Sequence, residues 1–189
     1  MFSAFGALLF VVPHIWSSAF PGSRDRLKLQ LGEARFKGLY ALCSMAGLLL
    51  LIAGYVHGRW FGGAYDNLYE PWVAGRHLLM LLALLMFILL GAAGGKGYIR
   101  AWLRHPMSIG IALWTFGHLL VNGERPVVWL FGSLLVVAVA DLVFSFGRGK
   151  RPVHIPDIKS DIRAVVIGVI IYAVFLFGFH PYILKMPVT

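Results

Sequence analysis

The sequence predicts an all-α protein, a polytopic membrane helical bundle of about six transmembrane helices in a single domain over residues 1–189. Three observations carry that expectation. Hydrophobic residues make up 59% of the chain and charged ones 13%, a balance foreign to soluble domains. The apolar residues gather in six runs, at 2–20, 39–57, 73–93, 106–122, 127–145 and 163–181, each near the roughly 20 residues that cross a bilayer core. The basic residues fall in alternate gaps between those runs.

Charge then gives an orientation. Loops 21–38, 94–105 and 146–163 hold thirteen of the 17 Lys and Arg residues, against Arg59, Arg76, Arg125 and Lys185 on the other side. The positive-inside rule therefore predicts cytoplasmic basic loops with both termini outside, which in a bacterial inner membrane is the periplasm. The same short blocks argue against nucleic acid as partner, despite a net charge of +9. Cys43, the one cysteine, allows neither an intramolecular disulfide nor a CxxCH haem attachment. No basic region precedes the first apolar run and no small-residue cleavage pattern follows it, so 2–20 reads as a retained span.

Taken in order, the first span contains Pro13, which lacks an amide hydrogen and so frees the carbonyl of Leu9. A kink is expected just before His14, whose ring either bonds a neighbouring carbonyl or faces a ligand. Residues 24–38 alternate basic and apolar positions and are expected to lie on anionic lipid. After the second span, Trp60, Phe61, Tyr65, Tyr69 and Trp72 form an aromatic belt at the interface or a ligand lid. Arg76 opens the third span and snorkels outward, while His77, one residue deeper, is either structural or turned into the bundle.

The fourth span, RHPMSIGIALWTFGHLLVNG from Arg104 to Gly123, places two histidines, an Arg, a Trp, a Thr and an Asn in an apolar helix. Polar groups there need partners, which makes this the leading site candidate. Pro106 suits the first helical position. His105 and His118 then stand about 20 Å apart along the axis and serve different sites. Trp114, Thr115, His118 and Asn122 share one face, which suggests a pocket. In the fifth span Asp141 is the only acid well inside a predicted helix, and its expected partner is His14, His105 or Arg104. Arg104, His105 and Asp141 are thus a candidate catalytic or substrate-contact element, with Asp141 orienting a histidine or simply pairing a charge. His154 in the loop GRGKRPVHIPDIKSD reads as exposed. The last span ends at His180-Pro181, and its Gly168 and Gly178 suit close helix packing. No repeat, Gly-rich phosphate loop, HExxH or Gly-x-Ser-x-Gly is present.

Three segments together resemble the NnrU family: LGEARFKGLYALCSMAGLLLLIAGY at 31–55, RHLLMLLALLMFILLGAA at 76–93, and RHPMSIGIALWTFGHLLVNG at 104–123. The resemblance extends to Pro13-His14 and is weakest after about residue 146. That family is named for a bacterial gene linked to nitrite and nitric oxide reductase expression, and it includes the plastid zeta-carotene isomerase, a membrane enzyme with haem b. The resemblance thus implies haem b and either a haem-dependent cis–trans isomerase or an accessory factor in nitrite and nitric oxide metabolism (denitrification). Beside membrane lipid, the implied ligands are a hydrophobic polyene or a nitrogen oxide. It also implies His118 and His14 as the haem-iron ligands. A cysteine three residues before the second ligand of that isomerase is replaced here by Thr115, so a redox ligand switch is not carried over. RHPMSIG separately resembles the RHPxYxG element of membrane methyltransferases that bind S-adenosylmethionine and act on isoprenylcysteine or phospholipid. Ser108 occupies its tyrosine position, and no paired-Glu segment follows.

A b-type haem requires an apolar slot, one or two axial nitrogens and a route for its propionates to water. Among the residues, His118 leads, with Trp114, Thr115 and Asn122 beside it as cofactor contacts. For the second ligand, resemblance favours His14, while depth in the membrane favours His77; His14 is the choice and His77 the reserve.

Overall fold

The computed structural model describes residues 2–61, 66–149 and 152–185, without the side chains of 59–61, and helices make up nearly all of it. The elements are α1 (Phe2–Ala19), α2 (Pro21–Leu31), α3 (Glu33–Phe61), α4 (Arg76–Ala93), α5 (Tyr98–Leu103), α6 (Pro106–Val121), α7 (Arg125–Gly147) and α8 (Ile158–Val174). A 3₁₀ turn, Val73–Gly75, leads into α4, and α8 runs on into a π-helical stretch, Phe175–Ile183. The chain is a helical membrane bundle. Among the described residues, five helical segments are long and apolar enough to cross a bilayer. The expected sixth, at 106–122, is α6, whose 16 residues span about 24 Å, short of a core of roughly 30 Å. Pro106 starts it and Asn122, in an extended conformation, ends it.

Boundaries moved where polar residues extend apolar helices. The predicted loop 21–38 is α2 followed by the first turn of α3, and the two part at Gly32, whose φ of +81° favours glycine. The sixth span begins at Ile158 rather than 163, because Asp157 caps it, its side chain accepting from the Lys159 amide at 3.0 Å. Helix α1 continues through Pro13. The carbonyl of Leu9 that Pro13 frees lies 3.6 Å from Cys43 Sγ of α3, which donates to it.

Neighbouring helices follow the order α3, α1, α7, α6, α4, α8, with α3 also reaching α7. Close approach is set by small residues. A side chain on Gly47 of α3 would stand 2.6 Å from the Phe10 amide nitrogen of α1. The resulting core joins Ala7, Phe10 and Leu51 to Leu130, Leu134 and Val137 of α7. Gly168 meets the backbone of Ile88 on α4, as expected of a packing glycine, whereas Gly178 has open space before it and packs against nothing.

Candidate functional site

His14 and His118 share one local design. In each, Nδ1–H donates to the carbonyl four residues earlier: Phe10 at 2.6 Å for His14 and Trp114 at 3.0 Å for His118. The helix thereby fixes the tautomer and leaves Nε2 with the lone pair, the form of imidazole that binds a metal. Aromatic rings hold both. His14 meets Phe10 at 4.5 Å and Tyr40 at 5.3 Å between centroids. Phe131 of α7 stacks on His118 at 4.1 Å and 11°, and Trp114 meets it edge-on at 5.0 Å. The structure does not bring the two histidines' helices together, however. Among the described residues, α1 and α6 each pack on α7 but make no close backbone contact with each other.

The expected polar pocket around His118 takes another form. Thr115 is fully buried and returns its hydroxyl to the Ile111 carbonyl at 2.7 Å, while Asn122 Nδ2 donates to the His118 carbonyl at 2.8 Å. With His118 bonded to Trp114, the shared face is a ladder of bonds within α6, so these polar groups do not converge on a common space. That Thr115 and Asn122 satisfy the helix's own carbonyls explains how they are tolerated in an apolar segment.

Asp141 is not held by His14, His105 or Arg104. Three hydroxyls donate to it instead: Ser108 of α6 at 2.6 Å, Ser145 at 3.2 Å and Ser18 of α1 at 3.3 Å. Its cation is one step removed, since Arg148 donates to Ser145 Oγ at 2.7 Å and to the Ser18 carbonyl at 2.7 Å. Hydroxyls served because they reach a carboxylate from three helices at once. Asp141 thus fastens α1 and α6 to α7.

Arg104 and His105 meet at Phe146 rather than at Asp141. The Arg104 guanidinium lies 5.9 Å from that ring's centroid, and the His105 ring meets it edge-on at 5.2 Å. Arg104 has φ +64°, in the left-handed region that a non-glycine residue occupies only under local constraint. Among the described residues, His105 Nε2 is buried and meets no hydrogen-bond partner. The element RHP therefore holds a strained backbone and an unpaired nitrogen. Ser108, at the tyrosine position of the methyltransferase-like element, is committed to Asp141.

The remaining histidines separate. His77 is exposed at the start of α4. His154, expected in solvent, is half-buried and bonds the Gly97 carbonyl at 3.2 Å. His180 bonds the Phe175 carbonyl at 2.9 Å inside the π-helical stretch. Among the described residues no three His, Cys, Asp or Glu side chains gather around a metal position.

Sequence reasoning missed Asp161, buried at 7% exposure. Its carboxylate accepts from the amides of Tyr98 at 2.7 Å and Ile99 at 3.3 Å, capping α5 from another helix. Ser160 Oγ accepts from the Lys96 amide at 3.0 Å beside it. The N-cap pattern at Asp157 would have exposed both, by starting the helix five residues earlier.

At the opposite end, residues 66–72 lie across the end of α6. Backbone bonds join Leu68 to Gly123 and Trp72 to Leu120, each at 2.8 Å. Tyr69 shares its hydroxyl hydrogen between the carbonyls of Leu119 and, at 2.7 Å, Asn122. Of the expected aromatic belt, Tyr69 is thus a helix cap; Tyr65 and the side chains of Trp60 and Phe61 lie outside the described residues. Burial raises the Tyr69 hydroxyl above the ordinary phenol value. Its contribution is accordingly complete below pH of about 10 and is lost as pH rises through the higher folded value. Tyr69→Phe should cost about 1 kcal/mol and remove that part of the alkaline fall, as read by thermal unfolding at pH 7 and above pH 10.

No match is found among curated proteins or solved structures. A family model described as NnrU protein, however, matches residues 3–188. That match spans the helices bearing His14, the Asp141 fastening and the RHP element alike, and this chain therefore belongs to the NnrU family.

Proposed function

We propose that this NnrU-family chain binds a b-type haem in the membrane, with His118 and His14 as the residues that would hold its iron. The observation that carries the reading is the paired design of these histidines, each locked by its own helix with Nε2 left for a metal and aromatic rings around it. Two histidines without a third ligand suit a macrocycle that brings its own four nitrogens. Bound haem would supply an iron centre able to meet a polyene or a nitrogen oxide. The chain's own part is to fix both imidazole planes and, through Trp114, Phe131 and Phe10, to keep water away from them. Helices α1 and α6 both pack on α7, so the two histidines would hold the group from helices that share one neighbour. In activity the protein is a zeta-carotene-isomerase-like isomerase or an accessory factor in nitrite and nitric oxide metabolism. Both termini are periplasmic and the basic loops cytoplasmic in this reading.

Absorption spectra of the purified protein, oxidised and reduced, test the haem. Wild type should be low-spin, and both His118→Ala and His14→Ala should lose that signature, while His77→Ala should keep it. A colourless wild type from cells well supplied with haem would refute the proposal. If His14→Ala leaves the spectrum intact and His77→Ala changes it, the reserve ligand takes its place. Incubation with a poly-cis carotenoid then separates an isomerase, which changes the isomer ratio, from a binder.

A further inference from the structure

The second anchor of interest lies at the basic end of the bundle and does not depend on haem. Where α1 ends and α2 folds back along α3, Ser17, Arg24, Lys28, Phe36, Lys37 and Tyr40 line an open recess of about 230 Å³. Three cations and two hydroxyls line it, and no carboxylate does. Neighbouring acids steady the cations from outside. Asp25 lies 2.9 Å from Arg24 and 4.0 Å from Lys28, and Glu33 lies 2.7 Å from Lys37. The side chains of Asp25 and Glu33 are 57% and 69% exposed. Ion pairs that open to solvent contribute at most about 1 kcal/mol, so they yield to an anion that engages three cations together. Arg24 is further aimed by its bond to the Ser17 carbonyl at 3.5 Å, and Lys28 lies 5.6 Å from the Phe36 ring centroid.

Cations and hydroxyls lining one recess match a phosphate, whose oxygens accept from both kinds of donor. The surroundings say where the phosphate comes from. Helix α2 buries none of its residues, and Leu29 on it is 86% exposed, with Phe20 just before it at 59%. Large apolar side chains beside a ring of cations mark an element at the boundary of headgroups and acyl chains. We propose that this recess is a binding site for the phosphate of an anionic phospholipid headgroup. Its wall reaches the histidine site through one contact, since Tyr40 also meets the His14 ring at 5.3 Å.

The full chain, purified in a neutral detergent, is titrated with dioctanoyl phosphatidylglycerol, dioctanoyl phosphatidylcholine and inorganic phosphate, and bound lipid is counted by native mass spectrometry. Phosphatidylglycerol should bind saturably at one site, at least tenfold more tightly than the other two. Lys28→Gln with Lys37→Gln should weaken it tenfold or more. Lys159→Gln with Arg163→Gln should change it less than twofold, although it removes the same charge from the larger recess at α8. Should the first pair fail to fold, Lys28→Gln alone, whose ion pair with Asp25 is 4.0 Å long, should still weaken binding threefold or more. Equal weakening by both pairs would reduce the effect to diffuse charge and overturn the site. Phosphatidylcholine binding as tightly as phosphatidylglycerol would overturn it too, and inorganic phosphate binding as tightly as the lipid would overturn the lipid source.

Discussion

Gly97→Ala should destabilise the chain by about 3 kcal/mol or more, whereas the same change made together with Asp161→Ala should add less than about 1 kcal/mol to the cost of the latter. The reason is where the missing side chain would go. A Cβ on Gly97 would stand 1.8 Å from Asp161 Oδ1 and 2.4 Å from its Cγ, an overlap that no rotamer of alanine relieves. The backbone at Gly97 is ordinary, with φ −83° and ψ 176°, so alanine meets no conformational penalty there. The carboxylate cannot retreat without surrendering the amides of Tyr98 and Ile99, and bonds to a charged acceptor contribute about 1.5–3 kcal/mol each. Asp161→Ala alone should cost a comparable amount, by leaving those two amides unpaired. Thermal unfolding in detergent of the four members of this cycle measures the coupling. Simple additivity would show that the two residues do not compete for one space.

Asp141→Ala should be the second severe change, at about 3 kcal/mol, because it strands hydroxyls on three helices that share one acceptor. Asp141→Asn should cost only about 1 kcal/mol, since its amide oxygen still accepts and a serine oxygen accepts from its NH₂. The two variants also separate fastening from chemistry. If Asp141 only joins helices, Asp141→Asn keeps the haem spectrum and any turnover per folded molecule. A loss of turnover in a stable Asp141→Asn protein would assign the carboxylate a direct part in the reaction.

Hydropathy alone predicted the membrane bundle and placed its six apolar helices, though not α2 or α5, because a bilayer demands long apolar runs whatever they pack against. Needs were legible, and the partners that meet them were not. Pro13 announces a free carbonyl at Leu9, but the donor is Cys43 only because Gly47 lets α1 and α3 approach in one register. Asp141 demands compensation, and cations are the conspicuous candidates in a sequence. Serines on α1, α6 and α7 carry no such flag, and they matter only through the geometry that converges them. Asp161 escaped for a different reason. Averaged hydropathy discards a polar first turn, so the acid was left in a loop that the structure makes helical. In the Arg104–Gly123 segment, the polar residues shared a face as expected. Their bonds run along the helix because Thr, His and Asn reach a carbonyl four residues back more readily than a distant partner.

Among the described elements, α7 is the one helix that touches both the α1–α3 pair and α6, which leads on to α4 and α8. Seen from the ribosome, this fixes an order of assembly. Helices α1 and α3 emerge early and can dock through Gly47 as a hairpin, yet they must then remain in the bilayer as an independent pair while α4, α5 and α6 are made. The carboxylate that binds the two groups arrives only after α1, α3, α4 and α6 have been made. When residue 141 enters the membrane, it must find Ser108 on the helix inserted just before it and Ser18 on the helix inserted first. Any delay between those insertions leaves Ser18 waiting in lipid, which makes completion of α7 the step that joins the two groups, before α8 arrives to pack on α4.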